Sequence, residues 1–505
     1  MKLLRRIISV MMALVVLAGT AGLIWADQRY PAPATPAGQP RVVAVPAGTS
    51  MAVCPGALRL ATSGEGEVVY DPRFDPAPSF TESLARLVVE GEAGQVRLLD
   101  GSAPIRLHGP LAIDQQTVSA EPVLIEAESS SQGEPASTGG EESAQAAGST
   151  FQLMADGDLR GVAAASCVPP VAESWLVAGS TEPGSSARLI LVNPGLTTVT
   201  ADLELWDGNG LVEAVGLTGL VIPPSAQRAV LLEGFKGAAN RLAVHVTAAG
   251  GEVAVFLQHS RLEGLTQGGV ELAVAGQPPA TLVNLPFVSV TESDFDSARA
   301  SVLRVLNPGS VQAVISVELW GPDGLTTLPG LEEALVSPGR VSDLWLAGLP
   351  AGQYMAVIKS DQPLVGAALS LRPGVADGPE EFAWTASATE QGHGFLGLPN
   401  GNLTADLLVS SEVAAEVELT PLDDAGQAGP SRIVQVAARS AVKLEVPPLA
   451  AGRQAAAIEF TWRGASGFIA LGVSFDDESG TMISAVLPRS RPATPSTVEV
   501  YPAGP

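Results

Sequence analysis

At 505 residues the chain is too long for one core, and three to four domains of ordinary size are expected. Hydrophobic residues reach 46% and charged residues only 16%, with 54 Gly and 40 Pro scattered as punctuation, which suits many short strands better than long surface helices. The net charge of −25 comes without any basic stripe to replace condensed counterions, so nucleic acid is excluded as an expected partner and anionic lipid repels all but the first residues.

The chain begins MKLLRR (1–6), expected to stay in the cytoplasm, and continues with an uncharged apolar run, Ile7–Ala26, long enough to cross a bilayer as a helix. An uncleaved signal-anchor fits its length; a cleavable signal peptide, with Gly19 and Ala21 near the cut, is the alternative, and both export the chain. A Pro/Ala linker occupies 27–40. A first β domain is expected over 41–170, interrupted by an acidic stretch at 126–150 that contains no basic residue and reads as a disordered insertion. Cys54 and Cys167 are the only cysteines; in an oxidising compartment a disulfide is the leading reading, and two separately buried thiols the other. Neither has a His or second Cys at ligand spacing, so no metal is expected.

From Val171 onward the chain repeats itself. LILVNPGLTTVTADLELWDGNG begins at Leu189 and LRVLNPGSVQAVISVELWGPDG at Leu303. In the first, Val199, Ala201, Leu203 and Leu205 share one parity; in the second, Ala313, Ile315, Val317 and Leu319 do. A period of two predicts half-buried strands. The preceding Asn-Pro-Gly triplets read as turns in which Pro fixes φ and Gly allows positive φ. A third copy keeps Val413, Ala415, Val417 and Leu419 in phase but has lost the triplet, and Thr420 stands in place of Trp. Units of about 100–115 residues exceed solenoid periods and predict tandem antiparallel β-sandwiches, immunoglobulin- or fibronectin-like, over 171–278, 279–390 and 391–490. The tail, 491–505, is Pro-rich and expected to be loose.

The segments VCPGAL around Cys54, Asp158–Gly195 and the second VLNPG resemble a family of uncharacterised actinobacterial exported proteins with one N-terminal membrane segment and a β-rich exterior. The resemblance implies a cell-envelope setting and supplies no active site.

Recognisable chemistry is sparse. Of four histidines, His108, His245, His259 and His393, none accompanies a G-x-S-x-G turn, and no phosphate loop occurs. Asp423-Asp424 and Asp476-Asp477-Glu478 read as solvated turns and not a calcium loop. Glu204, Glu318 and Glu418 recur once per repeat, which spreads them over three domains instead of facing one cleft. Alternation places Trp206 and Trp320 outward, either packed at a domain junction or free to stack on a sugar or anchor a partner. Trp175, Trp345, Trp384 and Trp462 read as core or junction residues. The expected protein is therefore a non-enzymatic, cofactor-free, membrane-anchored scaffold: a tethered row of β domains binding other envelope components. Binding of cell-wall polysaccharide through Trp206 and Trp320 is the alternative, and an enzyme of unfamiliar type is the third reading.

Overall fold

The computed structural model describes residues 11–12, 41–44, 50–60, 80–128, 144–294, 297, 299–375, 379–488 and 497–500. These are mainly β, in several antiparallel sheets. Apart from Met11 and Met12, the expected anchor at 7–26 and the linker at 27–40 lie outside the described residues, and no described helix is long and apolar enough to cross a membrane. Residues 47–492 form one compact unit, and 1–46 with 493–505 form another. In the latter, Arg41–Ala44 pairs antiparallel with Thr497–Val500. This corrects two expectations: the strand at 41 does not join the first β domain, and the tail from 491 contains a strand.

The large unit holds four pairs of sheets, and all four have the same order. In each pair, strands one, six, three and four make one sheet, and five, two, seven and eight make the other. In the first pair the strands are, in chain order, Ser50–Cys54, Glu82–Glu90, Ala93–Leu98, Ile105–His108, Leu111–Gln116, Val123–Glu128, Gln145–Met154 and Gly161–Ser166. The expected disordered insertion is thus too wide: Glu126–Glu128 and Gln145–Thr150 are strand, and residues 129–143 lie outside the description. The polar composition that suggested disorder conceals buried residues such as Ala146 and Ala147.

The second pair runs from Glu173–Leu176 to Thr266–Val274 and the fourth from His393–Gly397 to Gly480–Val486. The third runs from Ala280–Val290 to Glu381–Ala386 and differs in one respect. Its sixth and seventh strands are fused into Gly352–Arg372, so that its two sheets are continuous. In the second pair Gly250, at φ 86°, with Gly251 breaks the chain between Ala243–Ala249 and Ala254–Glu263; the third pair has Asp361-Gln362 there and runs on.

Alternation did select the core. Val199, Ala201, Leu203 and Leu205 are all buried, as are Ala313, Ile315, Val317 and Leu319, while Thr200, Asp202 and Glu204 are exposed. Val413, read in phase, precedes its strand and is exposed. The triplet turns work differently from the expectation, because neither Gly195 nor Gly309 has positive φ. The fully buried Asn organises each turn instead. Asn193 Nδ2 donates to the carbonyls of Thr197, Ile222 and Pro223, and its Oδ1 accepts from Gly195 N at 3.0 Å. Asn307 bonds Val311, Val336 and Gly309 in the same way. A Cβ on either glycine would sit 3.2 Å from that Oδ1, which accounts for the third letter of the triplet.

The pairs form a closed ring and not an extended row. Outward residues of the first pair (Val53, Leu124) pack on Val192, Ala254 and Phe256 of the second. The second packs on the third through one shared cluster, the third on the fourth around Trp320 and Phe468, and the fourth returns to the first through Phe395, Ala457, Val88 and Ala147. The outer face of the one-six-three-four sheet always meets the outer face of the five-two-seven-eight sheet of the next pair, a head-to-tail contact that closes. The eighth strands abut in cyclic order around the centre.

Cys54 and Cys167 are disulfide-bonded, tying the first strand of the first pair to the chain just past its last strand, across a separation of 113 residues. Reduction is expected to remove about 5 kcal/mol by the loop-entropy relation. Denaturation with and without reductant checks this, and a Cys54→Ala/Cys167→Ala variant should match the reduced protein.

Candidate functional site

Two places concentrate chemistry. The first is the axis. An edge strand presents unpaired N–H groups, and four such edges converge there. Glu271, on the last strand of the second pair, has no exposed surface and meets them. It accepts from Leu272 N at 2.8 Å, from Ala164 N of the first pair at 3.3 Å, and from Ser484 Oγ of the fourth at 2.9 and 2.7 Å. The Trp384 amide of the third pair also bonds it. One carboxyl group is thus held by all four pairs, although burial raises its pKa well above the usual range. Beside it, Arg160 of the first pair bonds Glu381 of the third at 2.9 Å and Asp477 of the fourth at 2.8 Å. Burial pushes Glu381 up to about 8, with Arg160 opposing. Gly269, at φ 89°, makes room, since a Cβ there would lie 2.7 Å from Glu381 Oε2.

The second place is a cleft of about 1000 Å³ between the second and third pairs. On its wall, Ser185 Oγ lies 3.0 Å from His259 Nε2, the spacing of a nucleophile and its base. The polarity is wrong for that role. Trp384 Nε1, which can only donate, bonds His259 Nδ1 at 3.1 Å. Burial, then Arg261 and Arg304, hold the imidazole pKa well below its usual value, so it is neutral, and its single proton sits on Nε2. His259 therefore donates to Ser185 and has no lone pair with which to take the serine proton.

Arg304 is buried at the back of the cleft. It makes a two-point contact with its cross-strand neighbour Asp343 at 2.8 and 3.0 Å and donates to the Gly179 and Asn240 carbonyls of the second pair. Arg299, at the rim, pairs with Glu380 at 3.0 Å. Arg261 lies over the Phe382 ring at 4.8 Å and, among the described residues, has no hydrogen-bond or ion-pair partner. Trp345, which the sequence reading placed in a core or junction, is 46% exposed on the same wall; it ends its strand beyond the inward Leu344, where alternation turns it out.

The sequence-derived candidates fall elsewhere. Trp206 and Trp320 do leave their strands on the outward face, but the next pair covers that face, and they are 6% and 2% exposed. Trp206 stacks on Trp175 with ring centroids 5.6 Å apart, and Trp175 on His245 at 3.9 Å. Neither Trp206 nor Trp320 offers a face to a sugar, which removes them as ligand contacts. Glu318 and Glu418 each pair with a cation on the neighbouring strand, Lys359 and Arg463, and Glu204 bonds the His245 ring on its neighbouring strand. Asp477, read as solvated, is instead the partner of Arg160, while Asp424 is exposed and pairs with Arg86. Among the described residues no group of carboxylate, His or Cys side chains is arranged to hold a metal.

Among the described residues, fold and site together define a ring of four sheet pairs with a buried polar axis and a large open cleft. The chain belongs to the DUF5719 family, a family of unknown function, whose model matches residues 125–447. No curated protein matches it. Among solved structures it is similar to Streptomyces avermitilis alpha-L-rhamnosidase complexed with L-rhamnose, at 11% identity with a TM-score of 0.12, over 81% of this chain. The chain spans 55% of that protein's length, and overlap this poor carries no argument about fold or activity.

Proposed function

We propose that the chain is a non-enzymatic scaffold of the cell envelope, a ring of immunoglobulin-like β-sandwiches held outside the membrane by Ile7–Ala26, whose partners bind the outer strand edges. The supporting observation is a repeated one. The fourth strand of every pair is a sheet edge, split into two segments in the second and third pairs, and each exposes aliphatic side chains: Ile105 (46%), Val221 (50%), Leu335 (61%) and Ile433 (48%), with Leu211 (53%) and Leu325 (45%) on the other segments. An unpaired edge with an apolar anchor suits the addition of an extended segment from a partner. Four of them on one ring favour a multivalent partner, whose avidity exceeds that of any single edge. The reversed Ser185–His259 polarity argues on the same side, against a hydrolase.

Crosslinking from the anchored full chain is expected to capture discrete envelope proteins. Capture should fall stepwise as Ile105, Val221, Leu335 and Ile433 are changed to Lys, with unchanged melting because all four are exposed. Equal capture by the quadruple variant would reject the edge-binding reading. Ser185→Ala should leave every such readout unchanged.

A further inference from the structure

The geometry points to the cleft between the second and third sheet pairs as a binding site for a sugar ring bearing one carboxylate or phosphate, with Arg261 taking the anionic group and Trp345 the ring face.

The charge assignment follows from what each arginine already holds. Arg304 is committed to Asp343 and two carbonyls, and Arg299 to Glu380, so both are neutralised or saturated. Among the described residues Arg261 has no direct hydrogen-bond or ion-pair partner. Burial, then the adjacent Arg304 charge, lowers its pKa to about 10, which still leaves it protonated at neutral pH. Glu380, Glu182 and Asp343 act on it through space, but among the described residues none bonds it, and an anion entering the cleft would supply the direct bonds its fork lacks.

The backbone is shaped to present it. Pairing between the seventh and eighth strands of the second pair shifts register between Ser260 and Leu262: Gly268 and Gly269 together oppose the single residue Arg261, a bulge of the eighth strand that sharpens the local twist where Arg261 is presented. Opposite stands Gly268, where a Cβ would lie 2.8 Å from the Arg261 Cβ; any other residue would push Arg261 from its place. Stacking on Phe382 then fixes the plane of the fork.

The sugar follows from the wall. Of the six described tryptophans, five are at most 9% exposed, and only Trp345 offers a ring face to solvent, within this cleft. An aromatic face beside hydroxyl and amide groups (Ser185, Thr266 and Gln267) suits the mixed apolar and hydroxyl faces of a pyranose. The exposed Glu182 and Glu263 at the rim disfavour a polyanion and leave room for one negative group. The volume lies at the top of the range of about 300–1,000 Å³ for small-ligand sites.

The test is titration of the full chain, followed by tryptophan fluorescence and calorimetry, with glucuronate, galacturonate, glucose 6-phosphate, glucose, galactose and inorganic phosphate. At least one acidic sugar should bind and change the fluorescence, with its neutral counterpart weaker by roughly tenfold or more, about 1.4 kcal/mol. Arg261→Met should abolish the preference for the acid, and Trp345→Ala the fluorescence change. Gly268→Ala, which displaces Arg261 without altering its charge, should also weaken binding. The arms separate a carboxylate from a phosphate ligand. Overturning results are no binding of any acidic sugar in the millimolar range, equal binding of neutral sugars, inorganic phosphate matching the sugar phosphate, or retention of acid preference in a folded Arg261→Met protein. The inference is independent of the edge-strand proposal: the quadruple Lys variant should bind sugar as well as the wild type.

Discussion

Replacing Glu271 with leucine is expected to destabilise the ring by about 2–6 kcal/mol. The substitution removes the acceptor that serves the edges of all four pairs. Ser484 Oγ can still accept from Ala164 N at 2.9 Å, but the Leu272 and Trp384 amides lose their partner at the axis, at about 1–3 kcal/mol each. Glu271→Gln keeps one carbonyl oxygen but turns an NH2 group toward donors, so it should fall between wild type and leucine. Because the donors come from different pairs, the loss should appear as one cooperative transition moved to lower denaturant, without early release of a single pair. The same residue sets a pH dependence. Burial raises the folded-state pKa of Glu271, and that of Glu381 to about 8, above the ordinary glutamate value of 4.5 for both. An acid raised in this way binds its proton more tightly folded than unfolded. Its contribution is therefore fully present below about pH 4.5 and is lost as pH rises, for Glu381 up to about 8. Melting temperatures should fall between pH 5 and 8.5, by only about 1 °C per kcal/mol at this chain length, given about 2 cal/mol/K per residue. A Glu271→Gln/Glu381→Gln protein should flatten that slope; an unchanged slope would show that neither carboxyl is the titrating group.

How much of this was legible in the sequence depends on whether a neighbouring pair takes part. Alternation at Val199–Leu205 and Ala313–Leu319 is a property of one strand between two environments, and it assigned the core residue by residue. The same parity put Trp206 and Trp320 on the outer face correctly, yet could not show that a second sheet covers that face. The first pair shares the strand order of the other three without the triplet or the Trp that mark the second and third, so its kinship is carried by topology alone. Ring closure depends on apolar residues such as Val53, Leu124 and Ala457, which alternation alone cannot distinguish from ordinary core. Glu271 and Arg261 did leave a trace. Gly268-Gly269 interrupts a strand pattern, which is the mark of a bulge or a close approach, and both occur there. His259 could not be judged from sequence, because its tautomer is set by Trp384, 125 residues away.

Arg304→Met should be the second large loss, about 3–5 kcal/mol, because it strands a buried carboxylate and empties two carbonyls at once. Arg304 is 1% exposed, and its register partner Asp343 has an 11% exposed side chain. Two of its bonds cross to the second pair, at 2.7 Å to Gly179 and 3.1 Å to Asn240, and its guanidinium lies 5.0 Å from the centre of the Trp384 ring. Arg304→Lys should rescue little, since a single ammonium cannot reproduce two parallel bonds to the carboxylate and also reach both carbonyls. The double variant Arg304→Met/Asp343→Leu separates the pair from its surroundings. If the loss in the single variant is mainly the uncompensated charge of Asp343, the double variant should recover much of it, and a mutant cycle by denaturant titration gives the coupling directly. If instead the double variant is as unstable as Arg304→Met, the two carbonyl bonds across the joint, and not the uncompensated charge of Asp343, carry the loss.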